Sequence, residues 1–465
     1  MIRRIKRMIE KGRTSTLARN SSWMFLGYGL KIFVQAGYFI LIARSLGPAQ
    51  YGAFVGTVAL IGLVAPFGSV GSGNLLVKNV SREPGLFAEY WGNALLISAV
   101  SGLILLGLVL GAARLALPSS IPLLLILLIS VADLLAVKGA EIAAQGFQAT
   151  DQLKYTALLT LLPNVLRLIG AAIVFIVWRH ATALLWGWFY MSCTLISATI
   201  AVSLASYKLG APKLALRRIP GELEEGFYFG TSMSAQTVYN DIDKTMLARL
   251  STLDATGIYA AAYRLIDVAF TPVRSVLNAA YANFFRHGKA GMAVSYSYAK
   301  KLLPKMMGYS LLIFAGLFLF APIVPLILGS EYARAVEALR WLALLPLFKS
   351  IHYFLADSLT GAGYQRVRTA GQVGVAIFNV LLNLWLIPAY SWRGAAWSSL
   401  ASDGALALTL YIAVMLLMAK EARRAVAFSV TQLDGTVNTI GGDSIPTGAE
   451  LVLAQQGIRS DDEGN

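Results

Sequence analysis

The chain has 465 residues, of which 57% are hydrophobic and only 14% charged, with a formal charge of +15 and a mean hydropathy of +0.64. An ordinary soluble domain is about 45–50% apolar and about 25% charged, and its surface could not cover this much apolar area. A soluble enzyme is therefore excluded. Continuous apolar runs of about 20 residues point to helical spans, not to the short alternating strands of a membrane barrel. The single cysteine, Cys193, excludes an intrachain disulfide. His180, His287 and His352 are scattered and give no metal-ligand spacing, and no cofactor is expected.

Residues 1–20 form a basic N-terminus, with Arg3, Arg4, Lys6, Arg7, Lys11, Arg13 and Arg19. The apolar run that follows is too long for a signal-peptide core and reads as an uncleaved first span. Spans are expected at 21–43, 52–74, 90–111, 118–138, 155–178 and 181–206, and then at 227–250, 257–284, 306–329, 335–360, 369–388 and 394–418. The seventh, eighth and tenth are weak in hydropathy because they contain charges. The connector 207–226 carries Lys208, Lys213, Arg217 and Arg218, then Glu222, Glu224 and Glu225. It reads as a cytoplasmic joint between two six-helix bundles, 21–206 and 227–418. The tail, 419–465, turns polar and rich in Gly, Ser, Thr and Asp, a composition that predicts disorder.

Twelve spans sort the basic residues unevenly. Twenty-five Lys and Arg fall in segments on the N-terminal side of the membrane and seven in the opposite connectors. That asymmetry predicts both termini in the cytoplasm. It also explains the positive charge without a nucleic-acid partner. Ala43-Arg44 overlies Ala248-Arg249, Gly52 overlies Gly257, and Leu60-Ile61 overlies Leu265-Ile266 at a constant offset. Six spans per half make this a parallel repeat, with its axis along the membrane normal and a central cavity between the halves. The expected fold is an all-α polytopic membrane protein of about 12 transmembrane helices.

Ionisable side chains within spans cost at least about 2.5–3.5 kcal/mol on insertion scales and mark functional positions. Six cations (Lys31, Arg167, Lys244, Arg264, Arg274 and Lys349) stand against Asp133, Asp241, Asp243, Asp267, Asp357 and Asp403. Placement separates them. Tyr28, Lys31, Gln35 and Tyr38 share one face of the first span, and Gln236, Asn240 and Lys244 one face of the seventh. Arg264, Asp267, Thr271, Arg274 and Asn278 line a face of the eighth, Asn164 and Arg167 of the fifth, and Lys349, His352 and Tyr353 of the tenth. These stripes predict a water-filled cavity with cations at mid-depth, suited to a phosphate or pyrophosphate group. Ion pairing between helices is the alternative. Spacing pairs Arg264 with Asp267 and Lys244 with Asp241. Lys31, Arg167 and Lys349 have no acid at helical spacing and are expected to face the cavity. Asp133, Asp357 and Asp403 either pair with those cations across helices or carry a coupling ion. The six cations are the candidate substrate-binding residues. Tyr28, Gln35, Gln236, Asn240, Asp241, Asp267, Asn278, Asp133 and Asp403 are the polar and coupling candidates.

Three stretches carry a family resemblance. Leu46-Gly47-Pro48-Ala49-Gln50-Tyr51-Gly52 resembles the LGPxxYG signature of the polysaccharide-transporter flippases of the multidrug/oligosaccharidyl-lipid/polysaccharide exporter superfamily. Asn240 through Asp243-Lys244 to Gly257-Ile258-Tyr259-Ala260-Ala261-Ala262-Tyr263-Arg264 is similar to that family's seventh and eighth helices. Asn379 through Asn383 to Ile387-Pro388, followed by Gly394-Ala395-Ala396, resembles its eleventh-to-twelfth segment, with Ser391-Trp392 departing from a glycine often found there. The resemblance covers roughly 15–418. It implies a flippase for an undecaprenyl-pyrophosphate-linked oligosaccharide in O-antigen, exopolysaccharide or capsule assembly. It also implies two bundles in a V with alternating access, a bacterial inner-membrane location, and coupling to a proton or sodium gradient. The implied partners are the lipid-linked oligosaccharide, the bilayer and other polysaccharide-assembly membrane proteins. A drug/cation antiporter of the same superfamily is the nearest alternative, followed by a membrane polysaccharide polymerase or ligase.

Overall fold

The computed structural model describes residues 16–178, 180–221 and 240–440, with side chains over 29–424 except at 218 and 282. No strand occurs among the described residues. Eight helical stretches are long and apolar enough to cross a membrane, and the first, Gly29–Val80, crosses twice. The helices over 240–250, Leu253–Gly288 and Leu345–Gly361 are absent from those eight. They belong to the expected seventh, eighth and tenth spans: the described residues 240–250 and Leu345–Gly361 are too short to qualify, and the charges of Leu253–Gly288 depress its hydropathy. With them, the described residues hold parts of all twelve expected spans.

The first and second spans lie in one helical stretch, Thr16–Val64, folded at Gly47. Gly47 has φ 67 and ψ 170, backbone that a residue with a Cβ avoids, and Pro48 then opens the next helix with φ already set. The second span is broken again. A 3-10 turn over Ala65–Ser69 contains Pro66, Val70 and Gly71 take left-handed backbone, and the helix resumes as Ser72–Val80. The fourth span, Leu123–Ala149, contains a π-turn, Val131–Ala136. Thr182 and Thr252 cap the sixth and eighth helices by accepting from the amides of Leu185 and Ala255, each at 3.1 Å.

Among the described residues, core packing joins the halves at one end only. At the end opposite the N-terminus, Ile42, Phe54, Trp186, Tyr259, Ile266 and Tyr332 share a single buried cluster built from both halves. At the other end the clusters are separate. Leu76, Trp91 and Phe147 pack in the first half; Phe270, Phe284 and Phe354 pack in the second, as do Met292, Leu355 and Leu406. Residues 210–215 of the connector lie against the third span. There the buried Asn93 side chain bonds both backbone groups of Ala215, at 2.9 and 3.1 Å.

The expectation of disorder from 419 onward is corrected over 419–440, where the last helix, Trp392–Ile440, continues. The stretch Ala419-Lys420-Glu421-Ala422-Arg423-Arg424 consists of strong helix formers. Glu421 also accepts from the Tyr364 hydroxyl at 2.7 Å and the Met292 amide at 2.8 Å, which ties the helix down. The basic segment 1–15, residues 222–239 with Gln236, the remaining tail 441–465 and the Tyr28 side chain lie outside the described residues.

Candidate functional site

A cavity of about 330 Å³ lies between the halves. The first, fifth and sixth spans contribute Gln35, Tyr38, Asn164, Arg167 and Tyr190 to its wall. The seventh and eighth contribute Asp241, Lys244, Tyr263, Arg264 and Asp267. Helical spacing explains this convergence within each span: 35 and 38, 164 and 167, 241 and 244, and 260, 263, 264 and 267 each share a face. Apolar residues of the second span, including Phe54, Val55 and Val58, close the remaining wall.

Among the described residues three cations line the cavity, and their counter-ions differ. Lys244 is clamped. Its ammonium lies 2.5 Å from Asp241 and 4.0 Å from Asp243, donates to the Asn240 carbonyl at 3.2 Å, and sits 4.2 Å from the centre of the Tyr263 ring. Arg167 is held more loosely. It donates through Nε and Nη2 to Thr194 at 3.1 and 2.9 Å, lies 3.5 Å from Asp133, and stacks 3.9 Å from the Tyr190 ring centre. Arg264 has no carboxylate partner among the described residues; its Nη2 reaches the Gln35 side-chain oxygen at 3.5 Å. The Gln35 amide in turn donates to Asn164 at 3.0 Å. An amide bridge therefore runs from Arg264 of one half to the turn that carries Arg167 in the other.

Each half backs a lining tyrosine with a charge set behind the cavity wall. The Tyr190 hydroxyl donates to Asp133 at 2.8 Å. Asp133 sits on the π-turn of the fourth span and does not line the cavity. The Tyr263 hydroxyl accepts from Lys349 at 3.0 Å, and Lys349 lies 3.7 Å from Asp403. Both are nearly inaccessible, as is His352, 3.6 Å from the same carboxylate. Asp243 binds Tyr259 and Ser399 in a second buried group of the C-terminal half.

These contacts correct several expectations. Lys349 was expected in the cavity; it lies behind Tyr263 and pairs with Asp403 of the twelfth span. Arg167 lines the cavity, and Asp133 of the fourth span lies beside it, the cross-helix pairing that spacing had left open. Asp267 does not take Arg264, three residues away; it accepts from Arg274 at 3.1 Å, two turns on. Asp357 pairs with Arg368 at 3.3 Å, not with a mid-depth cation. In each case the partner was set by how two helices rotate against each other or by a longer step along one helix, which a spacing of three or four cannot reveal. Lys31 is half-buried, one turn before Gln35, and outside the lining; Arg274 and Asn278 are exposed farther along the eighth span. Asn240 contributes its carbonyl to Lys244. Tyr190 and Tyr263 were missed as site residues. The steps Trp186-Tyr190-Thr194 and Tyr259-Tyr263 at four-residue spacing were the available signal.

Solved structures of similar fold include two membrane proteins. An inward-facing multidrug resistance MATE family transporter of the MOP superfamily superposes with a TM-score of 0.70 at 13% identity, over 84% of this chain and 96% of the other. The lipid II flippase MurJ, in an inward closed conformation, gives 0.67 at 12% identity over 94% and 96%. At such identities the likeness concerns the fold. In sequence, the probable low-salt glycan biosynthesis flippase Agl15 of Haloferax volcanii is 23% identical over 392 residues, 82% of this chain and 79% of the relative. Residues 17–281, more than half of the chain and all of the segments that build the cavity wall, match the family model described as polysaccharide biosynthesis protein, and the chain belongs to that family.

Proposed function

We propose that this protein is a flippase of glycan biosynthesis. It carries a polyprenyl-diphosphate-linked oligosaccharide from the cytoplasmic to the outer leaflet of a bacterial inner membrane by alternating access. The cargo in this reading is an undecaprenyl-linked unit for O-antigen, exopolysaccharide or capsule assembly, exchanged with other membrane proteins of that assembly. The observation that carries it is the pair of guanidinium groups, Arg264 and Arg167, in one cavity between the halves, connected through Gln35 and Asn164. Guanidinium offers phosphate oxygens planar, bidentate hydrogen bonds. The amides and tyrosines beside them suit sugar hydroxyls, while the prenyl chain stays in lipid. The names of the Haloferax relative and of MurJ support the flippase reading. The distribution of Lys and Arg supports cytoplasmic termini. No bond is made or broken in this cycle, and a proton or sodium gradient drives it.

Asp241 and Asp267 line the same cavity and favour a second reading, export of an organic cation. One reconstitution separates the two. Purified protein in liposomes is expected to exchange an undecaprenyl-diphosphate oligosaccharide between leaflets, above the rate in empty liposomes. Absence of exchange under imposed proton and sodium gradients, together with uptake of a cationic dye, would replace the flippase with the antiporter.

A further inference from the structure

Arg167 lines the cavity and has one protein carboxylate, Asp133, beside it. Its Nε and Nη2 meet Thr194, whose own hydroxyl is fixed to the Tyr190 carbonyl at 2.6 Å, and its Nη1 makes no hydrogen bond among the described residues. Its carboxylate, Asp133, is 3.5 Å away, long for a charge-assisted hydrogen bond. Asp133 has a shorter bond elsewhere, the 2.8 Å contact from the Tyr190 hydroxyl. So Asp133 stays satisfied when Arg167 leaves it, and Arg167 stays anchored through Thr194. The contrast is Lys244, whose contact with Asp241 is 2.5 Å and whose second carboxylate is nearby. The π-turn is what presents Asp133 here, and such turns recur at functional positions.

We propose that Asp133 is a resident counter-ion for the transport cavity. It pairs with Arg167 while the cavity is empty, yields it to the anionic group of the cargo, and takes it back to expel that group. Tyr190 keeps Asp133 in place during the exchange. Asp133 acts through Arg167 and is a positioning residue. The proposal rests on the anionic-cargo reading above and adds the release step to it.

The test is equilibrium binding of undecaprenyl diphosphate to the purified full-length protein, followed by leaflet exchange of its oligosaccharide-linked form. Asp133→Asn removes the competitor and is expected to tighten binding about tenfold while slowing exchange. Tyr190→Phe keeps the ring but leaves Asp133 held by Arg167 alone, so binding is expected to weaken about fivefold. In an Arg167→Gln background, Asp133→Asn is expected to change nothing further. Opposite signs for the two single variants are the signature, because a merely structural role for Asp133 weakens binding in both. Two losses in the same direction, or an Asp133→Asn effect that survives in the Arg167→Gln background, would overturn the exchange. If Asp133→Asn fails to insert, Tyr190→Phe with and without Arg167→Gln carries the same test. Failure of the unsubstituted protein to bind the diphosphate at all overturns the cargo reading instead.

Discussion

Gly257 of the eighth span lies so close to Pro48 that a Cβ on it would sit 1.9 Å from the Pro48 carbonyl oxygen. Gly52 faces the reciprocal contact, 1.8 Å from the Leu253 carbonyl oxygen. The two glycines, which overlie each other in the internal repeat, let the halves touch backbone to backbone. Around them Tyr332 donates to the Ala43 carbonyl at 3.0 Å. This seam closes the end opposite the N-terminus and leaves the other end with separate cores. Gly52→Ala or Gly257→Ala must push the backbones apart and is expected to destabilise this conformation by about 1–3 kcal/mol. Thermal unfolding in detergent checks it; an unchanged Tm for both variants would mean the seam is not tight.

The counter-ions rank the lining cations. Arg264 has no carboxylate partner among the described residues, Arg167 a loose one and Lys244 a close one. Neutralising Arg264 to Gln is expected to lower leaflet exchange by about 10–100-fold, since a charge-assisted contact is worth about 1.5–3 kcal/mol. Lys244→Gln instead leaves Asp241 and Asp243 unmatched and is expected to lower protein yield as well as exchange. Rates normalised to inserted protein distinguish the two; a smaller normalised effect for Arg264 than for Lys244 would reverse the ranking.

Lys349 belongs to the interior. Replacing it by Met strands Asp403, and breaking one side of a buried pair costs about 3–5 kcal/mol. Lys349→Met is expected to lower the Tm sharply, and the double variant Lys349→Met/Asp403→Leu to recover part of it. A single variant as stable as the parent would show that the pair is not a structural one.

Outside the spans, Tyr364 ties the start of the eleventh helix to the extension of the twelfth. Its hydrogen bond to Glu421 raises the phenol above its ordinary value of about 10, with burial adding to the effect. A raised folded-state value means the contribution is complete below about pH 10 and is lost as pH climbs through the folded value. The tie is expected to loosen in that alkaline window, and Tyr364→Phe to lack this pH dependence. Proteolytic susceptibility of the C-terminal helix across pH 8–11 is the measurement.

Much of the architecture was legible beforehand because the membrane imposes it. Length, apolarity and the need to satisfy backbone groups within each span left twelve helices as the reading, and the charges of the seventh and eighth spans, Asp241, Lys244, Arg264 and Asp267, line the cavity. The LGPxxYG stretch marked the turn at Gly47, and the repeat brought Gly52 and Gly257 into register. The reach of the last helix to Ile440 was not legible, because its polar composition says nothing of the Tyr364 and Met292 contacts at Glu421.

The sequence by itself determined which residues share a helical face: Gln35 with Tyr38, Asn164 with Arg167, Asp241 with Lys244, and Tyr263, Arg264 and Asp267 together. Those relations follow from 3.6 residues per turn and need no neighbour. The tertiary structure alone decided which charges answer one another. Asp133 reaches Arg167 from a π-turn, Asp403 reaches Lys349 from the twelfth span, and Arg264 is left with an amide. Such partners depend on the rotation and depth of whole helices against each other, set by packing summed over the bundle, and no local spacing encodes them.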